Sequence, residues 1–338
     1  MFVATIFLLA KNVIQNQTFT GRFLLLFLKD KMNTPSGIDW DIFSGALQNG
    51  DSRLLARCIS LTENEVNGYL DFLKTLSADT SSKIIGITGP PGAGKSTLTD
   101  LLIGELIKEQ KKIAVLCVDP SSPFHLGALL GDRIRMSEWY NNPNVFIRSL
   151  ATRGSLGGLN PKIIEITDIL KAAQFDCIIV ETVGVGQSEV EIAGLADVTV
   201  VVLVPEAGDE IQTMKAGLME VADIFVVNKC DRPGAESFVK NLQHILLPSA
   251  NNEMQHPAVL QTIASQKKGI AELIVAIKEK LKTANAKKEL LLTEKIYQLI
   301  VHNKMRKISK EELKEKIRIR LKENNFNLYK LAEEYSDQ

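Results

Sequence analysis

Gly89-Pro90-Pro91-Gly92-Ala93-Gly94-Lys95-Ser96-Thr97 is the stretch that decides the fold. It fits G-x-x-x-x-G-K-[ST], in which glycines let the backbone curl until several N–H groups point at one anion. The flanks agree with that reading. An apolar, β-branched run at 83–88 leads in, and a helical run beginning Leu98-Thr99-Asp100-Leu101 leads out. The helix N-terminus adds the positive end of its dipole. In such a loop Lys95 reaches the β- and γ-phosphates of a nucleotide, and Ser96 offers its hydroxyl to Mg²⁺.

Outward from this loop, short apolar runs alternate with helical segments. Strands are expected at 83–88, 113–118, 145–149, 176–181, 198–204, 224–228 and 258–262. Near-continuous apolar strands separated by helices mean a sheet covered on both faces, hence an α/β fold with a mostly parallel sheet. Residues 32–80 read as an N-terminal helical segment. There Thr62 and Glu65 predict a capping box for a helix carrying Val66, Tyr69, Leu70 and Leu73. Residues 81–283 read as the nucleotide domain and 284–338 as a charged helical arm with long helices at 288–304 and 309–324. In that arm Leu290, Leu291, Ile296, Leu299 and Ile300 form an apolar stripe that must bury against something.

The base is read elsewhere. Asn228-Lys229-Cys230-Asp231 closes an apolar strand. An ionised Asp accepts only, so Asp231 can take both N1–H and N2–H of guanine, whereas adenine presents neither donor. That points to GTP rather than ATP. Three carboxylates are candidates for the metal. Asp119 ends the second strand in Val118-Asp119-Pro120-Ser121-Ser122-Pro123, Asp132 follows in Leu130-Gly131-Asp132-Arg133, and Glu181 ends the fourth strand. Lys95, Asp119 and Glu181 are the expected catalytic set, and Ser96, Asp119, Asp132 and Glu181 the metal set. After Glu181, Gly184 and Gly186 make a loop that a γ-phosphate could draw in through a backbone N–H. Gln187 is a candidate to position water, or else a cap for the next helix. Arg133, Arg135 and Arg153 are candidates for a transition-state arginine, or else ion-pair partners.

The totals exclude several classes. Lys plus Arg number 40 and Asp plus Glu number 40, so no basic excess suggests nucleic acid as the partner. The four cysteines, Cys58, Cys117, Cys177 and Cys230, form no C-x-x-C pair, as expected of reduced thiols in a cytosolic protein. His125, His244, His256 and His302 show no metal-ligand spacing. Apolar runs at 2–10 and 23–28 are each too short to span a bilayer, so no membrane role is expected. Residues 1–31 read as a mis-assigned start, with Met32 the true one, or as a leader. The expected location is cytoplasmic, or the mitochondrial matrix if that leader is genuine in a eukaryote.

Taken together, these strings resemble the MeaB/ArgK (MMAA-like) family of P-loop GTPases over about residues 50 to 335. The most specific are Gly89 to Thr97, Val118-Asp119-Pro120-Ser121-Ser122-Pro123, Leu130-Gly131-Asp132-Arg133-Ile134-Arg135-Met136, Gly154-Ser155-Leu156-Gly157-Gly158 and Glu181-Thr182-Val183-Gly184-Val185-Gly186-Gln187-Ser188-Glu189. The resemblance implies a GTP-hydrolysing chaperone of methylmalonyl-CoA mutase or a related cobalamin-dependent mutase. Such a protein gates loading of adenosylcobalamin, which belongs to the client, and protects it. It implies a homodimer joined through the C-terminal arm. It also implies that Lys95, Ser96 and Thr97 bind phosphate and magnesium, and that Ile263-Ala264-Ser265 forms a second base loop. Two departures stand out. Leu126-Gly127-Ala128 replaces a Gly-Gly-Ser run in the first switch. Ile263 replaces a serine, which costs a hydroxyl but keeps the Ala264 N–H. The competing readings are a metallochaperone-type GTPase and an ATP-dependent kinase of amino-acid transport.

Overall fold

The structure, a computed structural model, describes residues 38–77, 81–119, 133–153, 158–182, 184, 188–207, 222–246, 257–283, 288–305, 308–322 and 326–336. Three short helices open it: α1 (Asp41–Asn49), α2 (Ser52–Glu63) and α3 (Tyr69–Thr75). Then come β1 (Lys83–Thr88), α4 (Lys95–Lys108), β2 (Ile113–Asp119), β3 (Val145–Ala151), α5 (Ile163–Ala172), β4 (Cys177–Glu181), α6 (Ser188–Ala193), β5 (Val198–Leu203), β6 (Ile224–Val227), α7 (Ala235–Ile245), β7 (Ala258–Gln261) and α8 (Ile270–Thr283). Three further helices, α9 (Lys288–Met305), α10 (Lys310–Lys322) and α11 (Leu328–Ser336), complete it. All seven expected strands form, with ends within two residues of the sequence reading. The third C-terminal helix, α11, was not expected.

The strands make one sheet in the order β3-β2-β4-β1-β5-β6-β7. Every pairing in it is parallel. The period of two along each strand sends alternate side chains to opposite faces. Ile84, Leu116, Ile178 and Val180 pack with α1, α2, α5 and α6 on one face. Ile85, Ile87, Val115, Cys117 and Ile179 pack with α4 and α8 on the other. Burial on both faces is why the strands read as unbroken apolar runs. With β1 between β4 and β5, the chain leaves β1 in one direction and later returns to the other side. Such a switch point opens a crevice at the carboxyl ends of the strands.

The capping box predicted for Thr62 and Glu65 does not form. Thr62 lies inside α2 and is fully buried, and α3 begins later, at Tyr69, after Gly68 with φ 91°. Glu65 is taken by Lys162 at 2.9 Å instead. Lys162 also meets Glu165 at 3.1 Å and the Tyr69 hydroxyl at 3.1 Å. Burial works against its charge, but these three partners outweigh it and hold the ammonium above the ordinary lysine value. A second polar cluster ties α2 to β3. Arg148 donates to Glu63 at 2.6 Å, to the Ser60 hydroxyl at 3.0 Å and to the Ala56 carbonyl at 3.1 Å. The N-terminal helices are therefore fastened to the sheet by charge-assisted bonds as well as by the apolar contacts of Leu55, Cys58 and Ile59.

Candidate functional site

The glycine-rich loop sits between β1 and α4, at the carboxyl edge of the sheet. Its shape requires glycine at two points. Gly89 has φ 135°, and a Cβ there would lie 2.0 Å from the Val202 carbonyl oxygen. Gly94 has φ 96°, and its Cβ would lie 2.3 Å from Asn228 Nδ2. Both positions combine a left-handed backbone with contact too close for any side chain. Pro90 is buried, Pro91 and Gly92 face solvent, and Ala93 is fully buried. Lys95 is 7 % exposed and folds back over the loop, donating to the carbonyls of Gly89 at 2.8 Å and Pro90 at 3.1 Å. Thr97, on the next helical position, is half-buried.

The expected metal residues converge only in part. Ser96 donates to Glu181 Oε1 at 2.6 Å, across the gap between α4 and the end of β4. Glu181 is 3 % exposed and Asp119, at the end of β2, is 5 % exposed. Asp119 stands beside Ala151 of β3, and its carbonyl accepts from Thr152 N–H at 3.0 Å. A hydroxyl and two buried carboxylates are hard oxygen donors, the kind that suits Mg²⁺ bound partly by protein and partly by phosphate. Among the described residues no group of three or more His, Cys, Asp or Glu forms a metal site. Asp132 lies outside the described residues, as do His125, Leu126, Gly127, Ala128, Gly154 to Gly157, Gly186 and Gln187. The side chains of Arg133, Arg135, Leu290 and Leu291 also lie outside them. Arg153 is engaged at the end of α2, donating to the Glu63 carbonyl at 2.9 Å and to Asn64 Oδ1 at 3.2 Å.

One residue absent from the sequence reading belongs here. Thr99, fully buried at the start of the second turn of α4, donates to the second carboxylate oxygen of Glu181 at 2.9 Å. A neighbouring pair, Thr88 and Thr182, share a 2.8 Å hydroxyl bond where β1 and β4 end. Just beyond, Gly184 lies on the loop itself. A Cβ there would be 2.2 Å from the Gly89 carbonyl oxygen and 2.6 Å from Lys95 Nζ. The segment after Glu181 thus touches the phosphate loop directly. It leads into α6, which packs so close to β1 that a Cβ on Gly86 would meet Ile192 at 2.5 Å.

The base motif is stitched to the phosphate loop. Asn228 Nδ2 donates to the Ala93 carbonyl at 2.8 Å, and its Oδ1 accepts from Thr262 Oγ1 and Ala264 N–H, each at 3.1 Å. The Ala264 N–H is therefore engaged within the protein. Lys229 holds a left-handed φ of 61° and donates to the Gly92 carbonyl at 2.7 Å. Strain of that kind persists only where surrounding bonds hold it. Asp231 and Ser265 are exposed and Ile263 is half-buried, so the carboxylate of Asp231 faces solvent beside the loop. Burial raises the Cys230 thiol pKa and the Asp231 carboxylate adds to it, opposed by a bond with the Thr262 backbone. Cys58 and Cys177 are pushed by burial up to about 12, so their thiols stay protonated and inert near neutral pH.

This geometry agrees with comparisons to known proteins. The family model described as methylmalonyl-CoA mutase-associated GTPase MeaB matches residues 55–321. A Pyrococcus abyssi protein named as a GTPase is 50% identical over 237 residues, covering 69% of this chain and 73% of its own. A fused isobutyryl-CoA mutase of Geobacillus kaustophilus is 39% identical over 239 residues, 65% of this chain but 22% of that one. The crystal structure of a LAO/AO transport system kinase superposes with a TM-score of 0.61 at 25% identity, covering 89% of this chain and 99% of that one. This chain is a GTPase and belongs to the MeaB family of methylmalonyl-CoA mutase-associated GTPases.

Proposed function

We propose that this chain is a GTP-driven chaperone of an adenosylcobalamin-dependent acyl-CoA mutase, methylmalonyl-CoA mutase or a close relative. It gates cofactor loading and protects the client. The supporting observation is that a segment 39% identical to this chain occurs within the fused isobutyryl-CoA mutase of Geobacillus kaustophilus. Covalent fusion places a GTPase of this kind permanently beside a mutase.

In this reading the backbone N–H groups of Gly92, Gly94, Lys95 and Ser96 receive the phosphates, and Lys95 neutralises the β/γ oxygens. Ser96, Asp119 and Glu181 hold or orient magnesium, which when bound neutralises charge building on the transferring phosphoryl group. Asp231 reads guanine, which sets the kinase reading aside despite the name carried by the structural relative. Gly184 reports the γ-phosphate, and α6 carries that report onward. Between α5, α6 and α9 lies a cavity of about 200 Å³, lined in part by Leu159, Ile163, Glu191, Leu195 and Leu299.

That arm supports self-association. Of the apolar stripe, Leu299 packs on the core. Ile296, Tyr297, Ile300, Val301 and Met305 share the other side of α9 and are 42% to 63% exposed. An exposed stripe of this kind on one helix marks an interface, here with a second copy. Ile300→Glu should shift the sedimentation coefficient from dimer to monomer, and an unchanged value would remove α9 from the interface.

The chaperone reading is tested with the mutase of the same organism. Ordering of a GTPase's loops by a partner, or an arginine supplied by it, raises the rate. Turnover should rise at least about tenfold on adding the mutase. Client affinity should differ between GDP and a non-hydrolysable GTP analogue by a factor of about 5 to 150. Equal affinity in both states with no change in rate would leave a GTPase without this client.

A further inference from the structure

The geometry around Glu181 points to a further residue of the site. We propose that Thr99 is a positioning residue that orients the Glu181 carboxylate and thereby sets the affinity of the site for its divalent cation. The inference rests on the reading of this crevice as the Mg²⁺–nucleotide site. Thr99 lies beyond the G-x-x-x-x-G-K-[ST] pattern, so the motif gives it no role.

Thr99 has one hydroxyl proton and two acceptors within reach. The Lys95 carbonyl lies at 3.0 Å and Glu181 Oε2 at 2.9 Å. The carbonyl of a helical residue is already the acceptor for the N–H four residues on. An ionised carboxylate is the stronger acceptor, so the proton goes to Glu181. Thr99 is 0% exposed and Glu181 3%, so bulk water does not replace that bond if it is lost.

The arrangement is a two-point clamp. Ser96 and Thr99 are three residues apart, on one face of α4 at its start. Ser96 takes Oε1 at 2.6 Å and Thr99 takes Oε2 at 2.9 Å. One hydroxyl alone would leave the carboxylate free to rotate about its last torsion, which has only a broad preference. Two hydroxyls on separate oxygens fix its plane. Ser96 and Glu181 are the same hard oxygen donors that suit the cation. Thr99 therefore acts on the cation only through Glu181 and Ser96. Partners of this outer kind change metal affinity by about 10- to 100-fold when removed.

The test uses Mn²⁺ as the probe, followed by electron paramagnetic resonance on full-length protein loaded with guanosine 5′-(β,γ-imido)triphosphate. Thr99→Val should raise the Mn²⁺ dissociation constant at least about tenfold. Thr99→Ser, which keeps the hydroxyl, should stay within about twofold of wild type. Thr99→Ala gives the same comparison should the branched apolar side chain fail to pack. In a Glu181→Ala background, Thr99→Val should weaken Mn²⁺ no further, because the two act as one unit. A wild-type constant in Thr99→Val overturns the inference, and so does an additive loss in the double variant. Failure of the wild-type protein to bind Mn²⁺ with nucleotide would instead overturn the reading of the crevice as the nucleotide site.

Discussion

Lys95→Ala should lower GTP turnover by at least about 10²- to 10³-fold at saturating nucleotide and magnesium. Phosphoryl transfer asks the protein for position and charge rather than covalent chemistry, so the group nearest the developing charge carries much of the rate. Lys95 is the buried cation of the loop, and its ammonium already sits over the Gly89 and Pro90 carbonyls. No large rearrangement is needed to place it at a phosphate. The fold should survive, with a lowered melting temperature, since two buried carbonyls lose a donor at about 1 to 3 kcal/mol each. GDP affinity should fall less than turnover, because the γ-phosphate is where Lys95 gains most. Lys95→Arg should not rescue. The ideal Cβ position on Gly184 is 2.6 Å from Nζ, so a longer planar guanidinium meets the backbone of the segment after Glu181. Phosphate release by single-turnover assay decides it. Hydrolysis retained in Lys95→Ala would end the assignment of this loop to catalysis.

The order of elements was legible because the central strands are buried on both faces and each loop motif is local. Gly89 to Thr97 and Asn228 to Asp231 announce themselves within a few residues. What stayed hidden joins residues far apart in sequence. Thr99 and Glu181 are 82 positions apart, and Glu63 and Arg148 are 85 apart. Nothing local marks either pair. The capping box failed for a related reason. Thr62 and Glu65 have the right spacing, but Lys162, nearly a hundred residues on, holds Glu65 by charge. A charge-assisted bond to a buried lysine outweighs a local cap. The stripe on α9 was read as one face, yet Leu299 turns to the core while Ile296 and Ile300 are 57% and 50% exposed. Periodicity identifies an apolar face without saying which neighbour covers it.

Asp231→Asn should cut GTP affinity by about 10²-fold or more and turn the preference toward xanthosine nucleotides. Guanine presents N1–H and N2–H to a carboxylate, and hydrogen bonds to a charged group contribute about 1.5 to 3 kcal/mol each. The amide of Asn accepts one of these and opposes the other with its own N–H. Xanthine has a carbonyl where guanine has the amino group, so that N–H gains a partner. The loss should stay at the base. Asn228 and Lys229 lock the base loop to Ala93 and Gly92 through their own side chains, and the exposed Asp231 is not part of those ties. Stability and the phosphate loop should therefore be unchanged. Cys230 offers a reading independent of nucleotide. Burial raises its thiol pKa first, and the Asp231 charge raises it further. Removing that charge lets the pKa fall, so at fixed pH above neutrality more thiolate forms and alkylation by iodoacetamide quickens. Faster alkylation with unchanged GTP affinity would show that the carboxylate is correctly placed but does not read the base. Wild-type protein that binds ATP as tightly as GTP would remove Asp231 from recognition altogether, because adenine gives that carboxylate no donor to accept from.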